Sequence, residues 1–176
     1  LVMASSPFPT NESMGGKTFG TSVKHVGNGI YVFRWWVYRN FFVVTDDGVI
    51  VSDPLNPKAA KLMQKEIRKV TDKPVKYVIY SHNHHDHVSG GNVFQAEGAK
   101  FIAHKNMLKQ LKDHPSPVLP TPDIVFEDSY TVKLGGRSIE LSYFGPNHGD
   151  SLVVMQFPEE KNLFVVEMVT PRRVCP

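Results

Sequence analysis

Six consecutive residues, His82-Asn83-His84-His85-Asp86-His87, hold most of the chemistry this sequence offers. Four of the chain's eight histidines fall here, together with a carboxylate. Imidazole nitrogens and carboxylate oxygens are the usual ligands of zinc at catalytic sites. In an extended segment residues i and i+2 point the same way, so His82 and His84 can share one ion. A tight turn then brings Asp86 and His87 to the same pocket, where they can hold a second ion or orient a water. One isolated histidine would read as a structural ring; four with an aspartate at this spacing read as a ligand cluster. A catalytic zinc typically keeps three protein ligands and one open position. The best remaining donor is His148, in Gly145-Pro146-Asn147-His148-Gly149-Asp150. His25 falls in an early hairpin, His104 opens a helix, and His114 lies in a proline-rich loop.

The elements around the cluster must deliver it. Val75 to Tyr80 is a short apolar strand, and the histidines leave its carboxyl end, where α/β sheets gather ligands. Upstream, Ile30 to Tyr38 reads as a strand, Arg39-Asn40 as a turn, and Phe41 to Val44 as the next strand. Asp46-Asp47-Gly48 is a hairpin signal before Val49-Ile50-Val51. Asp53 to Pro57 breaks the pattern. A helix over Lys58–Val70 follows, with Ala59, Met63, Ile67 and Val70 stepping by three or four. The lysines between them form a solvated face. Downstream the pattern predicts a helix over Gly91–Glu97, a strand over Lys100–Ala103 and a helix over His104–Lys112. Beyond a proline-rich loop the chain turns β-rich, with strands at Tyr130–Leu134, Ser138–Phe144, Leu152–Phe157 and Leu163–Val166.

The totals set outer bounds. At 176 residues, 41% hydrophobic and 21% charged, the chain makes one domain with a proper core. A net charge of +3 does not argue for nucleic acid. No apolar run approaches the roughly 20 residues that span a membrane. The single cysteine, Cys175, can form no internal disulfide. Residues 1–22 read as an extended or poorly ordered leader before a domain over residues 23–176. The compartment is left open.

The motif His82-x-His84-x-Asp86-His87, with Gly90-Gly91 behind it, resembles the signature of the metallo-β-lactamase superfamily. The resemblance extends to Gly48-Val49-Ile50-Val51-Ser52-Asp53-Pro54, to Gly145-Pro146-Asn147-His148 and to Leu163-Phe164-Val165-Val166-Glu167. It implies an α/β fold, the αβ/βα four-layer sandwich, of which this chain covers mainly the first half and the start of the second. It implies a first metal on His82, His84 and His148, and a second on Asp86 and His87. Asp53 reads either as an acceptor behind a ligand ring or as a turn residue before Pro54.

Two departures stand out. Glu167 occupies the position of a bridging Asp, or of a Cys in the zinc β-lactamases, and is either a ligand or an inward carboxylate without that role. Cys175 comes eight residues too late to replace it. The family's second half ends in another His ligand, which nothing after Glu167 supplies. The domain is therefore expected to be incomplete at its C-terminus, or completed by a second chain or a homo-oligomer, or to have an incomplete second metal site. His85 stands where related sequences often carry Trp, and packing is favoured over proton transfer. The aromatics Trp35, Trp36, Phe41 and Phe42 are expected to pack rather than line an entrance.

The activity implied is a zinc hydrolase with one or two ions. A zinc-bound hydroxide, oriented by Asp86, would open an amide, lactone or ester bond of a small β-lactam-type or related substrate. The alternatives are an iron-dependent oxidoreductase of the same fold, persulfide dioxygenase-like, and a non-catalytic metal-binding fragment or assembly protein.

Overall fold

A computed structural model describes residues 2–4 and 20–168 of the chain. Twelve strands and four helices are formed by these residues. They are β1 (Val2–Ala4), β2 (Thr21–Gly27), β3 (Ile30–Trp35), β4 (Tyr38–Val44), β5 (Val49–Ser52), α1 (Pro57–Val70), β6 (Val75–Ile79), α2 (His85–Val88), α3 (Asn92–Gln95), β7 (Lys100–His104), α4 (Met107–Asp113), β8 (Ile124–Phe126), β9 (Ser129–Leu134), β10 (Arg137–Tyr143), β11 (Val153–Phe157) and β12 (Asn162–Val165).

Seven strands make one sheet in the order β2-β3-β4-β5-β6-β7-β8. It begins as an antiparallel meander and becomes parallel from β5 onward. The change of direction follows the connections: a tight turn joins β4 to β5, whereas α1 carries the chain back between β5 and β6. The second sheet has the order β1-β12-β11-β10-β9. It is antiparallel except where β1 runs alongside β12.

Alternation along the larger sheet builds two cores. Phe42, Val51, Val78 and Phe101 pack with Ala59, Ala60, Met63 and Ile67 of α1. Their neighbours Phe41, Ile50, Ile79 and Ile102 face the other way, onto Leu141, Val153, Met155, Phe157 and Phe164 of the second sheet. Successive residues of a strand point to opposite faces, so a strand covered on both sides must be apolar throughout. That is why the doubly covered stretches Phe41–Val44, Val49–Val51 and Phe101–Ala103 read as apolar runs. Phe41 sits edge-on to both Phe157 and Phe164, with ring centroids 5.0 Å from each. The result is a helix layer, a sheet and a second sheet, in agreement with the αβ/βα sandwich.

Helix α1 starts where Asn56 caps it, its side chain accepting from the amides of Lys58 and Ala59, with Pro57 at the first position. Several boundaries differ from the sequence reading. The turn between β3 and β4 is Trp36-Val37, where Trp36 has φ of 57°, and Arg39-Asn40 lie inside β4. Asn40 is buried, and its amide donates to the backbone oxygens of Ser52 and Asp53, which pins β4 to the end of β5. A polar dipeptide that looks like a turn is thus a buried crosslink. His104 closes β7 instead of opening a helix, and α3 is a single turn. Val70 is exposed at the end of α1. Two pieces of strand fall within the stretch expected as a leader, namely β1 and the start of β2. Phe41 and Phe42 are buried as expected, but Trp36 is 52% exposed at the hairpin tip. Cys175 lies outside the described residues.

Candidate metal centre

Strand β6 ends at Ile79, and the chain then passes the end of the second sheet, where the Ser81 carbonyl accepts from the Val153 amide at 2.9 Å. His82 and Asn83 form a bend and His84 returns to extended backbone, which leaves the rings of His82 and His84 with centroids 4.5 Å apart. The single turn α2 swings His87 back beneath them, 4.6 Å from the His82 ring. This turn is held from below: the Leu55 amide donates to the His87 carbonyl at 2.7 Å. Gly90, just behind it, has φ of +87°, and a Cβ there would lie 2.4 Å from the Asn56 carbonyl carbon. The Gly behind the histidines is therefore required by the close approach of the α1 cap.

The remaining donors come from the second sheet. His148 sits on the loop between β10 and β11, and Glu167 two residues past β12. One donor atom each from His82, His84, His148 and Glu167 lie within 4.8 Å of one another. Glu167 Oε2 is 2.9 Å from His148 Nε2, 3.3 Å from His82 Nε2 and 3.5 Å from His87 Nε2. A tetrahedral zinc with arms of 2.0–2.1 Å has ligand-to-ligand edges of about 3.3 Å, so these spacings suit shared coordination. The extra methylene of Glu is accommodated because Glu167 has left the strand, with φ of 56°.

His87 Nε2 is also 3.9 Å from Asp86 Oδ2. Asp53 is fully buried, with Oδ1 accepting from the Ser81 amide at 2.8 Å and Oδ2 lying 3.5 Å from His87 Nδ1. It thus stands behind the His87 ring. His85 Nδ1 lies 3.0 Å from Ser89 Oγ, on the outside of the turn.

The donor set fits a metal on one further ground. His82 Nε2, His87 Nε2 and Glu167 Oε2 are buried yet make no hydrogen bond. Buried polar atoms normally have partners, and an ion would supply them here, while His87 Nδ1 faces Asp53 Oδ2. His82 Nδ1 pairs with Ser81 Oγ at 2.8 Å, which leaves Nε2 facing the cluster. Charges in the cluster are strongly coupled. Burial opposes protonation of His87, but Asp53 and Glu167 outweigh it and hold its pKa up at about 10. His82 and His87 hold the Glu167 carboxyl far below the usual range. Burial, followed by His82 and His148, lowers His84.

The structure adds residues that the sequence did not single out. Asp150 ties down the His148 loop: its carbonyl accepts from Tyr143 Oη at 2.9 Å and Asn106 Nδ2 at 2.6 Å, and its carboxylate from Asn83 Nδ2 at 3.1 Å. Tyr38 Oη donates to Asp86 Oδ2 at 2.9 Å. These partners are far apart in sequence, and no local pattern announces them. A cleft of about 380 Å³ opens beside His84, lined by Asn83, Asn106, Lys109, His114 and Asp150 among others. Of the other histidines, His25 meets Tyr31 at a tilt, with ring centroids 4.6 Å apart, and His104 Nε2 pairs with the Glu127 carbonyl at 2.7 Å.

The sandwich with a histidine and carboxylate cluster at one edge is that of the metallo-beta-lactamase superfamily, whose sequence model matches residues 34–169. The chain belongs to this superfamily, which contains hydrolases. It is 29% identical over 136 residues to 2,4-dinitroanisole O-demethylase subunit alpha of Nocardioides sp. (strain JS1661), covering 76% of this chain and 42% of that one. It is 28% identical over 163 residues to a metallo-beta-lactamase type 2 of Elizabethkingia meningoseptica, covering 86% of this chain and 63% of the relative. The chain thus spans about half the length of these two relatives. In fold it is similar to a metallo-beta-lactamase from Pontibacter korlensis, with a TM-score of 0.73, 20% identity, and 82% and 70% of the two chains covered. It is likewise similar to the sec-alkyl sulfatase PisA1, with a TM-score of 0.70, 16% identity, and 84% of this chain but 31% of that one covered.

Proposed function

We propose that this chain carries the metal centre of a zinc-dependent hydrolase acting on a small molecule. The observation that supports this most is the convergence of His82, His84, His148 and Glu167 within 4.8 Å, with buried donor atoms left unpaired. His82, His84 and His148 would hold one ion. Asp86 and His87 would hold a second, with Glu167 shared between the two. Zinc in such a site lowers the pKa of a bound water towards neutrality and polarises the bond to be cleaved.

The chain's own residues supply the rest. Asp86, with its side chain 57% exposed at the mouth of the site, accepts a proton from the attacking water and delivers it to the leaving group. Tyr38 keeps its own proton, since burial, and then Asp86, push its pKa up to about 12. Its hydroxyl therefore acts as a donor that holds Asp86 in place. Asp53 fixes the His87 ring from behind. The cleft beside His84 has the volume of a small-molecule site, and its polar lining favours a polar substrate.

Relatives named for a lactamase, an alkyl sulfatase and a demethylase show that this fold does not select one bond type. An amide, lactone or ester of the β-lactam type is the first class to test. The chain would work with further polypeptide, a second chain or copy, against the second sheet; the demethylase relative is itself named as a subunit.

The deciding experiment is metal analysis of protein purified without added ions, followed by turnover of lactam, lactone and ester substrates. Chelation should abolish turnover and zinc should restore it. Turnover that persists after complete metal removal overturns the proposal, and iron with oxygen uptake replaces it with the oxidoreductase reading.

A further inference from the structure

Tyr38 is the first residue of β4, directly after the exposed tip of the β3–β4 hairpin. Its ring is fixed on two sides. It stacks on Trp35 with centroids 6.0 Å apart, and it meets the His87 ring edge-on at 5.3 Å. Its hydroxyl donates to Asp86 Oδ2 at 2.9 Å. Two of these three contacts thus fall on Asp86 and His87. The rings of His82, His84 and His148 meet one another and, through His82, the His87 ring at 4.6 Å, whereas the Tyr38 contacts reach only Asp86 and His87 of the cluster.

Asp86 needs such a partner. It stands on a one-turn helix with more than half of its side chain in water. An exposed carboxylate on a short turn samples several rotamers, and fixing it costs side-chain entropy each time it binds an ion. A phenol locked by two rings provides that order in advance. Outer partners of metal ligands act in this way, and removing one typically costs about 10–100-fold in metal affinity.

We infer that Tyr38 is a positioning residue for Asp86 that makes the affinity of the second metal position, and not of the first, depend on the β3–β4 hairpin. The inference rests on the two-position reading of the centre. It makes the hairpin part of the metal site as well as part of the sheet: displacing its tip withdraws the phenol from Asp86 and loosens one ion selectively.

The test is a Co²⁺ titration of the whole chain, followed by calorimetry and by visible absorption, for the parent and for Tyr38→Phe. Phe keeps the contacts with Trp35 and His87 and deletes only the hydroxyl. The parent should bind in two steps. Tyr38→Phe should leave the first step unchanged and weaken the second by about tenfold or more. Tyr38→Leu, which also removes the stack, should weaken the second step at least as much. If the parent shows two steps and Tyr38→Phe alters neither, or weakens both equally, the inference is overturned and the two-position reading stands. If the parent binds a single ion, the two-position reading itself fails and the inference falls with it. Far-ultraviolet circular dichroism of each variant separates these outcomes from misfolding.

Discussion

Tyr143 lies almost flat on His104, with ring centroids 3.8 Å apart and planes 23° from parallel. His104 closes β7 of the larger sheet, and Tyr143 closes β10 of the smaller one. The same tyrosine donates its hydroxyl to the Asp150 carbonyl, two residues past His148. The ring therefore joins the sheets, and the hydroxyl steadies the loop that carries His148.

These two roles can be separated. Tyr143→Phe should preserve the stack and change folding stability by no more than about 1.5 kcal/mol, the net worth of one hydrogen bond. Its zinc affinity should fall severalfold, because the His148 loop loses one of its ties. Competition against a chromophoric chelator, alongside urea unfolding of the metal-free protein, would measure both. Unchanged affinity would mean that Asn106 and Asn83 hold the loop unaided.

His104 itself predicts a pH dependence. Its Nε2 lies against the Glu127 carbonyl and its Nδ1 accepts from the Asn106 amide, a pattern that suits the neutral ring. Burial lowers its pKa below the ordinary value of 6.5. Between that lowered value and 6.5 the unfolded chain binds more protons than the folded one, so stability rises with pH. The contribution is complete above pH 6.5 and is lost as pH falls through the folded pKa. Urea midpoints at pH 7.5 and 5.5 should therefore diverge more in the parent than in His104→Gln. Equal divergence would remove His104 as the cause.

Zinc should stabilise the fold. His82, His84 and His87 follow β6 of the larger sheet, whereas His148 and Glu167 belong to the smaller one. An ion held by both binds the native state and not the separated sheets. At free zinc 1,000-fold above the dissociation constant the gain is about 4 kcal/mol. Thermal unfolding with graded free zinc should show a rising midpoint, reversed by chelation and absent in His82→Ala. A midpoint indifferent to zinc would indicate that the cluster binds none.

Gly90→Ala should be severely destabilising. The new Cβ would meet the Asn56 and Pro57 backbone at 2.4–2.7 Å, and φ is +87°. The left-handed backbone alone costs an L-residue roughly 1–2 kcal/mol, and relieving the clash would lift α2 from the α1 cap. A loss of more than about 2 kcal/mol, with weakened metal binding, is the expected result of denaturant unfolding and zinc titration. Gly136→Ala, where nothing stands within 4 Å but φ is +76°, reports the backbone cost by itself.

Much of this was legible in the sequence, for reasons that differ by residue. His82, His84, Asp86 and His87 are close in the chain, so their spacing already encodes their geometry. The doubly buried stretches announced themselves by short apolar runs, and α1 by its period, although Asn56-Pro57 read only as a break and not as the cap it is. Asn40 misled because composition cannot distinguish a polar residue at a turn from one that crosslinks two strands. His104 misled in the same way, as a polar residue at an element boundary. Tyr38 gave no signal, since its partner is 48 residues away. The reach of Glu167 depended on one left-handed residue beyond a strand end, which side-chain length alone does not reveal.

The division of the donors between two sheets makes the centre a gauge of how the sandwich is aligned. Phe41, buried edge-on between Phe157 and Phe164, is the wedge that sets the spacing of those sheets, and Phe164 lies only three residues before Glu167. A slip of a fraction of an ångström at that wedge is carried along β12 to the carboxylate that faces His82 and His87. The spacing of these donor atoms is therefore inherited from hydrocarbon packing, and the core and the cluster cannot drift independently of one another.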